Sequence, residues 1–294
     1  MNSNRLINKT ISFFNNKRYS IIEKNILKNH RKIYEKNYSK SFNNPLISVY
    51  VPTYNRGNIL IERAVPSVLS QTYNNFEFVI VGDCCTDNTE ELIKNLSDPR
   101  IKFYNIPFRK YRYPPSPKNN WFAGPVVAAN KALSIIKGDW IARIDDDDMW
   151  TETHLDDLLN YAISNSFEFI SANYQALSDG NQYVVKGKRA CSDYYYPKIE
   201  PFKYHSNDYN PRIGGTCTWM YRSYLKFMKY NINCWRKTWN QVNDTDLSVR
   251  MFEAGVRMGH LDKVISYVYP RPGEKLIGLS AYLSAEAENR KPHA

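Results

Sequence analysis

Four consecutive aspartates, Asp145–Asp148, follow directly on the apolar run Trp140–Ile144. Asp83 stands just past a second such run, Phe76–Val81, and a third, Leu46–Val51, leads into Pro52–Thr53–Tyr54–Asn55–Arg56. A further acid, Asp244, sits in Asn243–Asp244–Thr245–Asp246, at the start of a helical pattern. Neither GxGxxG nor GxxxxGK[ST] occurs, which argues against a dinucleotide Rossmann site and a P-loop. Clustered carboxylates repel a diphosphate unless a divalent cation stands between them. The pattern therefore predicts Mg²⁺ or Mn²⁺, held by one or two carboxylates and completed by substrate phosphates and water. His154 and His260 have no spacing that makes them a ligand pair. Cys84 and Cys85 have no base beside them and are expected to pack. Five cysteines, an odd number without a CxxC pair, provide no disulfide framework and no zinc site. A reduced, cytoplasmic setting is the expectation.

These acids must be positioned by the elements around them. Leu46–Val51, Phe76–Val81, Ile101–Tyr104 and Trp140–Ile144 read as buried strands. Between them lie helical patterns at Ile59–Gln71, from Asp87 through Leu96, and at Pro125–Lys137, with Pro66 either kinking the first or marking a late start. Residues 106–120 read as a Pro- and Tyr-rich loop. Strand–helix alternation predicts an α/β fold with a doubly wound, mostly parallel sheet, whose ligands lie beyond the carboxyl ends of the strands. The second half is less regular. Leu155–Ile163, Tyr224–Met228 and Asp244–Glu253 read as helices, and Arg212–Met220 and Val264–Tyr269 as strands. Phe167–Tyr174 and Gln182–Lys186 are expected to run antiparallel to the parallel core, and the tail from Pro270 to be weakly structured.

The chain has 294 residues, enough to bury a large core, and 14% aromatic residues, which excludes disorder for its bulk. Its net charge of +11 is unevenly spread: residues 1–44 hold ten Lys/Arg against Glu23 and Glu35. The basic balance thus belongs to an N-terminal arm, joined to the body through Ser39–Pro45. Apolar residues of the arm fall at Ile7, Ile11, Phe14, Ile22, Ile26 and Ile33, a mostly helical spacing. Two readings stay open: a basic amphipathic helix making peripheral contact with an anionic membrane at the cytoplasmic side, or a helix packed on the body or on a second subunit. Nucleic acid is not expected as a partner, because the body carries no reading module. No apolar run has the roughly 18 residues needed to span a membrane, and Arg5, Lys9 and Asn15–Asn16 interrupt any signal-peptide core. The oligomeric state is not legible.

In order along the chain stand ISVYVPTYNR, SVLSQTYNNFEFVIVGDCCTDNT, GPVVAANKAL and GDWIARIDDDDMW, then a weaker echo at Gly214–Gly215–Thr216 and NDTDL from Asn243. Over about residues 46–165 this resembles the GT-A-fold glycosyltransferases of family 2. The resemblance implies a GT-A fold with a small antiparallel acceptor-side extension. It implies inverting transfer of a sugar, from a UDP-linked donor as the usual case, to a hydroxyl of a glycan or lipid-linked acceptor, in surface polysaccharide or glycan synthesis. Residues 45–150 would form the nucleotide-sugar-binding half, 151–270 the acceptor and catalytic half, and 271–294 a tail. Pro52, Thr53, Tyr54 and Arg56 match the stretch where the family grips the nucleoside, with Asn130 on the crossover helix. Asp83 matches the carboxylate that accepts from uracil N3–H. Asp145, Asp146 and Asp147 match the DxD stretch, with Asp147 the metal ligand and Asp145 on ribose or metal-bound water. Asp244 matches the catalytic base, with Asp246 next in line.

The chain also departs from the family's pattern. Gly82–Asp83–Cys84–Cys85 replaces DDGS, and Ala128–Ala129–Asn130 replaces ARN, removing an arginine for which Arg112, Lys118 or Lys131 could substitute. Trp219, Trp235 and Trp239 could form a sugar platform, but core packing is the expected use. A nucleotidyltransferase of related fold would carry a Gly- and basic-rich loop after the first strand, of which Thr53–Gly57 is a poor version. A non-catalytic nucleotide-sugar-binding protein would lack the metal or base acid. Joint presence of Asp145, Asp147 and Asp244 favours the transferase.

Overall fold

The computed structural model describes residues 2–38, 44–108, 113–196 and 209–289. It opens with one long helix, α1 (Asn2–Tyr38). The apolar run after the linker is β1 (Ile47–Thr53), buried at all seven positions, as a strand covered on both faces must be. Helix α2 (Gly57–Ile59) passes through a π-helical turn (Leu60–Ala64) into α3 (Val65–Leu69). Pro66 follows directly on the π-helical turn, where the helix changes its hydrogen-bonding pattern and can accommodate a residue without an N–H. Then follow β2 (Phe76–Gly82), α4 (Thr89–Lys94) and β3 (Ile101–Asn105). Part of the expected loop is helical: α5 (Pro117–Ala123) starts where the Asn119 N–H donates to Ser116 Oγ at 3.1 Å. Next come α6 (Val126–Ile135), β4 (Trp140–Arg143), β5 (Asp148–Trp150) and α7 (His154–Ser164). The second half adds β6 (Phe169–Ser178), β7 (Asn181–Val185), β8 (Lys188–Arg189), β9 (Arg212–Ile213) and β10 (Met220–Arg222). It closes with α8 (Asn243–Ala254), β11 (Met258–Val268) and α9 (Gly278–Asn289).

The main sheet has the order β3-β2-β1-β4-β10-β6-β11-β5, with β7 paired to β6. Strands β1 to β4 are mutually parallel, and β10 runs antiparallel to both β4 and β6. Two reversals restore the direction, so β6, and β11 parallel to it, run in the same sense as β1–β4. This corrects the expectation for β6; of the two strands expected to oppose the core, β7 does and β6 does not. The carboxyl ends of β1, β2, β4, β6 and β11 therefore share one edge, where β5 begins. Side chains alternate between two apolar layers. One holds Tyr50, Ile141, Phe169, Trp219 and Tyr221; the other holds Val49, Val51, Trp140, Leu155 and Ile170. Trp219 is buried with its indole N–H on Gly214 O at 2.8 Å, and Trp235 and Trp239 pack on the same layer, as expected for core residues.

At the N-terminal end α1 packs on the body, which agrees with one of the two readings left open, but it does so mainly through residues outside the isoleucine pattern. Ile7, Ile22 and Ile33 are exposed, Ile26 is half-buried, and the side chain of Ile11 lies outside the described ones. Instead Glu23 and Leu27 are buried, Glu23 pairs with Arg250, and Arg31 Nε donates to Glu168 Oε1 at 2.7 Å. At the other end, contrary to expectation, the tail is ordered, because α9 packs on α5 and buries Ala281. Among the described residues no helix is long and apolar enough to cross a membrane.

Candidate active site

A cavity of about 420 Å³ opens at the carboxyl edge of the sheet. Pro52, Thr53, Tyr54, Arg56, Asp83, Asp145, Asp146, Asp147 and Asp244 all line it, having come from four separate chain segments. Asn130 does not reach it. Its amide donates to Tyr230 O and accepts from the Tyr230 N–H, both at 2.9 Å, tying α6 to the loop before α8. Of the proposed replacements for the missing arginine, Lys118 lies over the Phe122 ring, Lys131 lies over the Tyr104 ring, and neither lines the cavity. Arg112 lies outside the described residues. The cations that do line it are Arg56, Arg143 and Arg271.

Part of the cavity wall is built on the ends of β1 and β2. The Asp83 N–H donates to Thr53 O at 2.8 Å, which fastens the two strand ends together and buries Asp83. Cys84 follows with φ +63, a left-handed turn that glycine adopts without strain. That conformation accounts for the glycine of the DGS pattern and shows Cys84 meeting the same turn. Tyr54 remains exposed at the rim.

The carboxylate loop hangs between β4 and β5. Thr53 Oγ1 donates to Asp146 Oδ2 at 2.8 Å, and Arg56 Nη1 donates to Asp146 Oδ1 at 3.0 Å. Asp145 Oδ1 accepts from Arg143 Nε at 3.1 Å and Nη2 at 2.9 Å. Asp147 differs: its carboxylate has only longer-range cations, Arg56 at 3.6 Å and Arg271 at 4.0 Å, and no hydrogen bond among the described residues. Burial, then repulsion from Asp146, pushes the Asp147 carboxyl up to about 6. Burial raises the Asp146 carboxyl too, and raises that of Asp148 well above the usual carboxylate range. Among the described residues no three His, Cys, Asp or Glu side chains form a ready-made metal cage. The donor set nevertheless fits a divalent cation: hard carboxylate oxygens, a crowded negative loop, and one carboxylate with its lone pairs unclaimed.

Asp244 stands in the first turn of α8. The Thr216 hydroxyl donates to its Oδ2, and the Thr245 N–H donates to Oδ1 at 2.6 Å. Thr216 is placed by Gly214 and Gly215, where the chain runs so close to β6 that a Cβ would lie 2.2 Å from Ala172 O and 2.7 Å from the Tyr174 ring. Asp246 is fully buried between Lys237 Nζ at 2.8 Å and Arg250 Nε at 2.9 Å, and these cations hold its carboxyl below the usual range even against burial. It points into the protein, away from the role of substitute base.

The model of glycosyl transferase family 2 matches residues 48–226. The chain belongs to glycosyltransferase family 2. The resemblance read from ordered motifs is thus borne out, and with it the GT-A fold. WcaA of Escherichia coli K12, a glycosyl transferase named for colanic acid biosynthesis, is 34% identical over 164 residues, covering 53% of this chain and 50% of WcaA. WfaP of Escherichia coli, a UDP-Glc:alpha-D-GlcNAc-diphosphoundecaprenol beta-1,3-glucosyltransferase, is 33% identical over 142 residues, or 48% of this chain and 50% of WfaP. The chain spans about half the length of these relatives. Residues 1–349 of S. aureus TarS, solved with UDP-GlcNAc, superimpose with a TM-score of 0.57 at 18% identity, covering 80% of this chain and 60% of that one.

Four residues of the site were not singled out from the sequence. Buried Arg143 is the central one: besides Asp145 it donates from Nη1 to Asn243 Oδ1 at 3.2 Å, joining the carboxylate loop to the start of α8. A lone arginine in the apolar run WIARI was its signal. Arg63 donates to Asp147 O at 3.1 Å and Pro270 O at 2.8 Å, binding that loop to the C-terminal segment. From that segment Arg271 and Tyr282 line the cavity, and Arg56 Nη2 donates to the Tyr282 hydroxyl at 3.3 Å. Nothing local in the sequence marks these three.

Proposed function

We propose that the protein is an inverting, metal-dependent glycosyltransferase that moves a sugar from a UDP-sugar to a hydroxyl of a glycan or lipid-linked acceptor in polysaccharide synthesis. The observation that carries this reading is the convergence of Asp83, Asp145–Asp147 and Asp244 on one cavity. Pro52, Thr53 and Tyr54 would bound the nucleoside, with Asp83 accepting from uracil N3–H, and Asp145 would face ribose. Asp147 would hold Mn²⁺ or Mg²⁺, with Asp145 sharing through water. Such a cation, when bound, neutralises charge developing on the departing diphosphate. Arg271, beside Asp147, supplies a fixed positive charge near the same place. Asp244 would take the proton of the acceptor hydroxyl as its oxygen attacks the anomeric carbon. The new C–O bond forms as the bond to the diphosphate breaks, so one displacement inverts the configuration and UDP leaves. The UDP-sugar of TarS and the UDP-Glc and diphosphoundecaprenol named for WfaP support the donor and acceptor classes.

The test is product analysis with Mn²⁺ and a panel of nucleotide sugars. Released UDP, dependent on the metal, is expected. Pyrophosphate would instead mark nucleotidyl transfer, and binding without either product a non-catalytic protein.

A further inference from the structure

We infer that the outer face of α1 binds an anionic lipid surface on the side of the molecule that carries Asp244. The arm has only two acids, and docking engages both: Glu23 pairs with Arg250, and Glu35 with Arg257 at 2.5 Å. The exposed described side chains of α1 thus include lysines and apolar residues, beside the neutral Asn25 and Asn29, with both acids paired to arginines of the body. Lys24, Lys28 and Lys32 form a row at four-residue spacing, all exposed and none paired with an acid among the described residues. Ile7, Phe14 and Ile21 are exposed as well, and their seven-residue spacing keeps them within about 40° of one another around the helix. Lys28 continues that line, and buried Leu27 lies one helical step of about 100° from it, toward the body. Lysines flanking exposed isoleucine and phenylalanine suit a lipid interface, where apolar tips enter the acyl boundary and ammonium groups meet anionic headgroups. A nucleic acid would use the charge and leave the isoleucines in water.

The direction of the helix places this face. Glu23 meets Arg250, Arg31 Nη2 donates to Gly255 O at 2.7 Å, and Glu35 meets Arg257, so α1 and α8 run in the same sense. Residues 2–18 then extend about 25 Å past that seam, beyond the first turn of α8 where Asp244 stands. A bound surface would lie where a lipid-linked acceptor approaches. That consequence rests on the proposed transfer reaction; the binding itself does not.

Co-sedimentation of the full chain with vesicles tests the binding without any sugar donor. Phosphatidylcholine vesicles containing phosphatidylglycerol should bind it, pure phosphatidylcholine should not, and added salt should weaken the contact. The triple variant Lys24→Glu/Lys28→Glu/Lys32→Glu should bind at least tenfold more weakly. Ile7→Ser/Phe14→Ser/Ile21→Ser should also lose binding, while both melt at the wild-type temperature by circular dichroism. Equal binding to neutral and anionic vesicles, or wild-type binding by the lysine variant, overturns the inference. So does retention on duplex DNA, or self-association lost in the same variants, in the absence of vesicle binding.

Discussion

Asp147 and Asp244 line one cavity but differ in what surrounds them, and the difference predicts separable failures. Asp147 has an unclaimed carboxylate crowded by Asp146, which a cation would relieve. Asp147→Ala should therefore abolish the Mn²⁺-dependent part of thermal stabilisation by UDP, together with turnover. Asp244 is held by Thr216 and Thr245, and no hydrogen bond among the described residues joins it to the aspartate loop. Asp244→Asn should keep the UDP-induced shift and the melting temperature, yet lower transfer about 10²–10⁴-fold, the usual worth of a positioned general base. Near wild-type transfer would remove Asp244 from the mechanism. Burial of Asp246 in an ion network leaves it unable to take over.

At the scale of elements, α8 is held from behind by charge. Arg250 bridges Asp246 and Glu23, so α1 and α8 meet through a buried acid–base–acid chain. Arg250→Ala would leave two buried carboxylates with fewer partners, and chemical denaturation should show a loss of about 3–5 kcal/mol. A second seam joins β5, α7 and β11. His154 is fully buried, stacked on Trp150 with ring centroids 3.8 Å apart, its Nδ1 2.9 Å from Ile265 O. Burial lowers its pKa from 6.5 to about 3. The unfolded chain thus binds this proton more readily than the folded one. The stabilisation is complete above the ordinary histidine value and is lost as the pH falls from there toward about 3, at about 1.4 kcal/mol per pH unit. Measured by denaturant titration across that window, His154→Gln should remove this slope.

The whole molecule is a sheet whose parallel strands end together, with the polar groups gathered where they end. Asp83 and Pro52–Tyr54 line the cavity where β1 and β2 end, and on the proposed function nucleotides should be told apart there. With Mn²⁺ present, UDP should raise the melting temperature more than GDP, CDP or ADP, since ligand bound only to the folded state stabilises it. Equal shifts from all four would dismiss the uridine assignment. The C-terminal segment lines the same cavity through Arg271 and Tyr282, together with residues that precede and follow β5 on the chain, from Pro52 to Asp244.

The parallel core and the acids at its edge were legible because both are local. An apolar β-branched run followed at once by Pro52, Asp83 or Asp145 declares a buried strand and the polar group at its end. Ordered motifs then carried the family. Strand direction in the second half was not legible: neither the ten residues of β6 nor the three of β10 carry a mark of direction, and only their pairing decides which opposes the core. The face by which the arm packs was not legible for a related reason. Its isoleucines have helical spacing, but a neighbouring surface chooses the face, and that surface offered Arg250 and Glu168 to Glu23 and Arg31. Arg63 and Arg271 reach distant stretches of chain, as with Arg63 on Pro270 O, so nothing local marks them; the lone Arg143 in WIARI was a signal, but its link from Asp145 to Asn243 appears only in the fold. Local chemistry is written in residue order, whereas the choice of partner among buried charges belongs to the folded chain, because only there does burial make each pairing decisive.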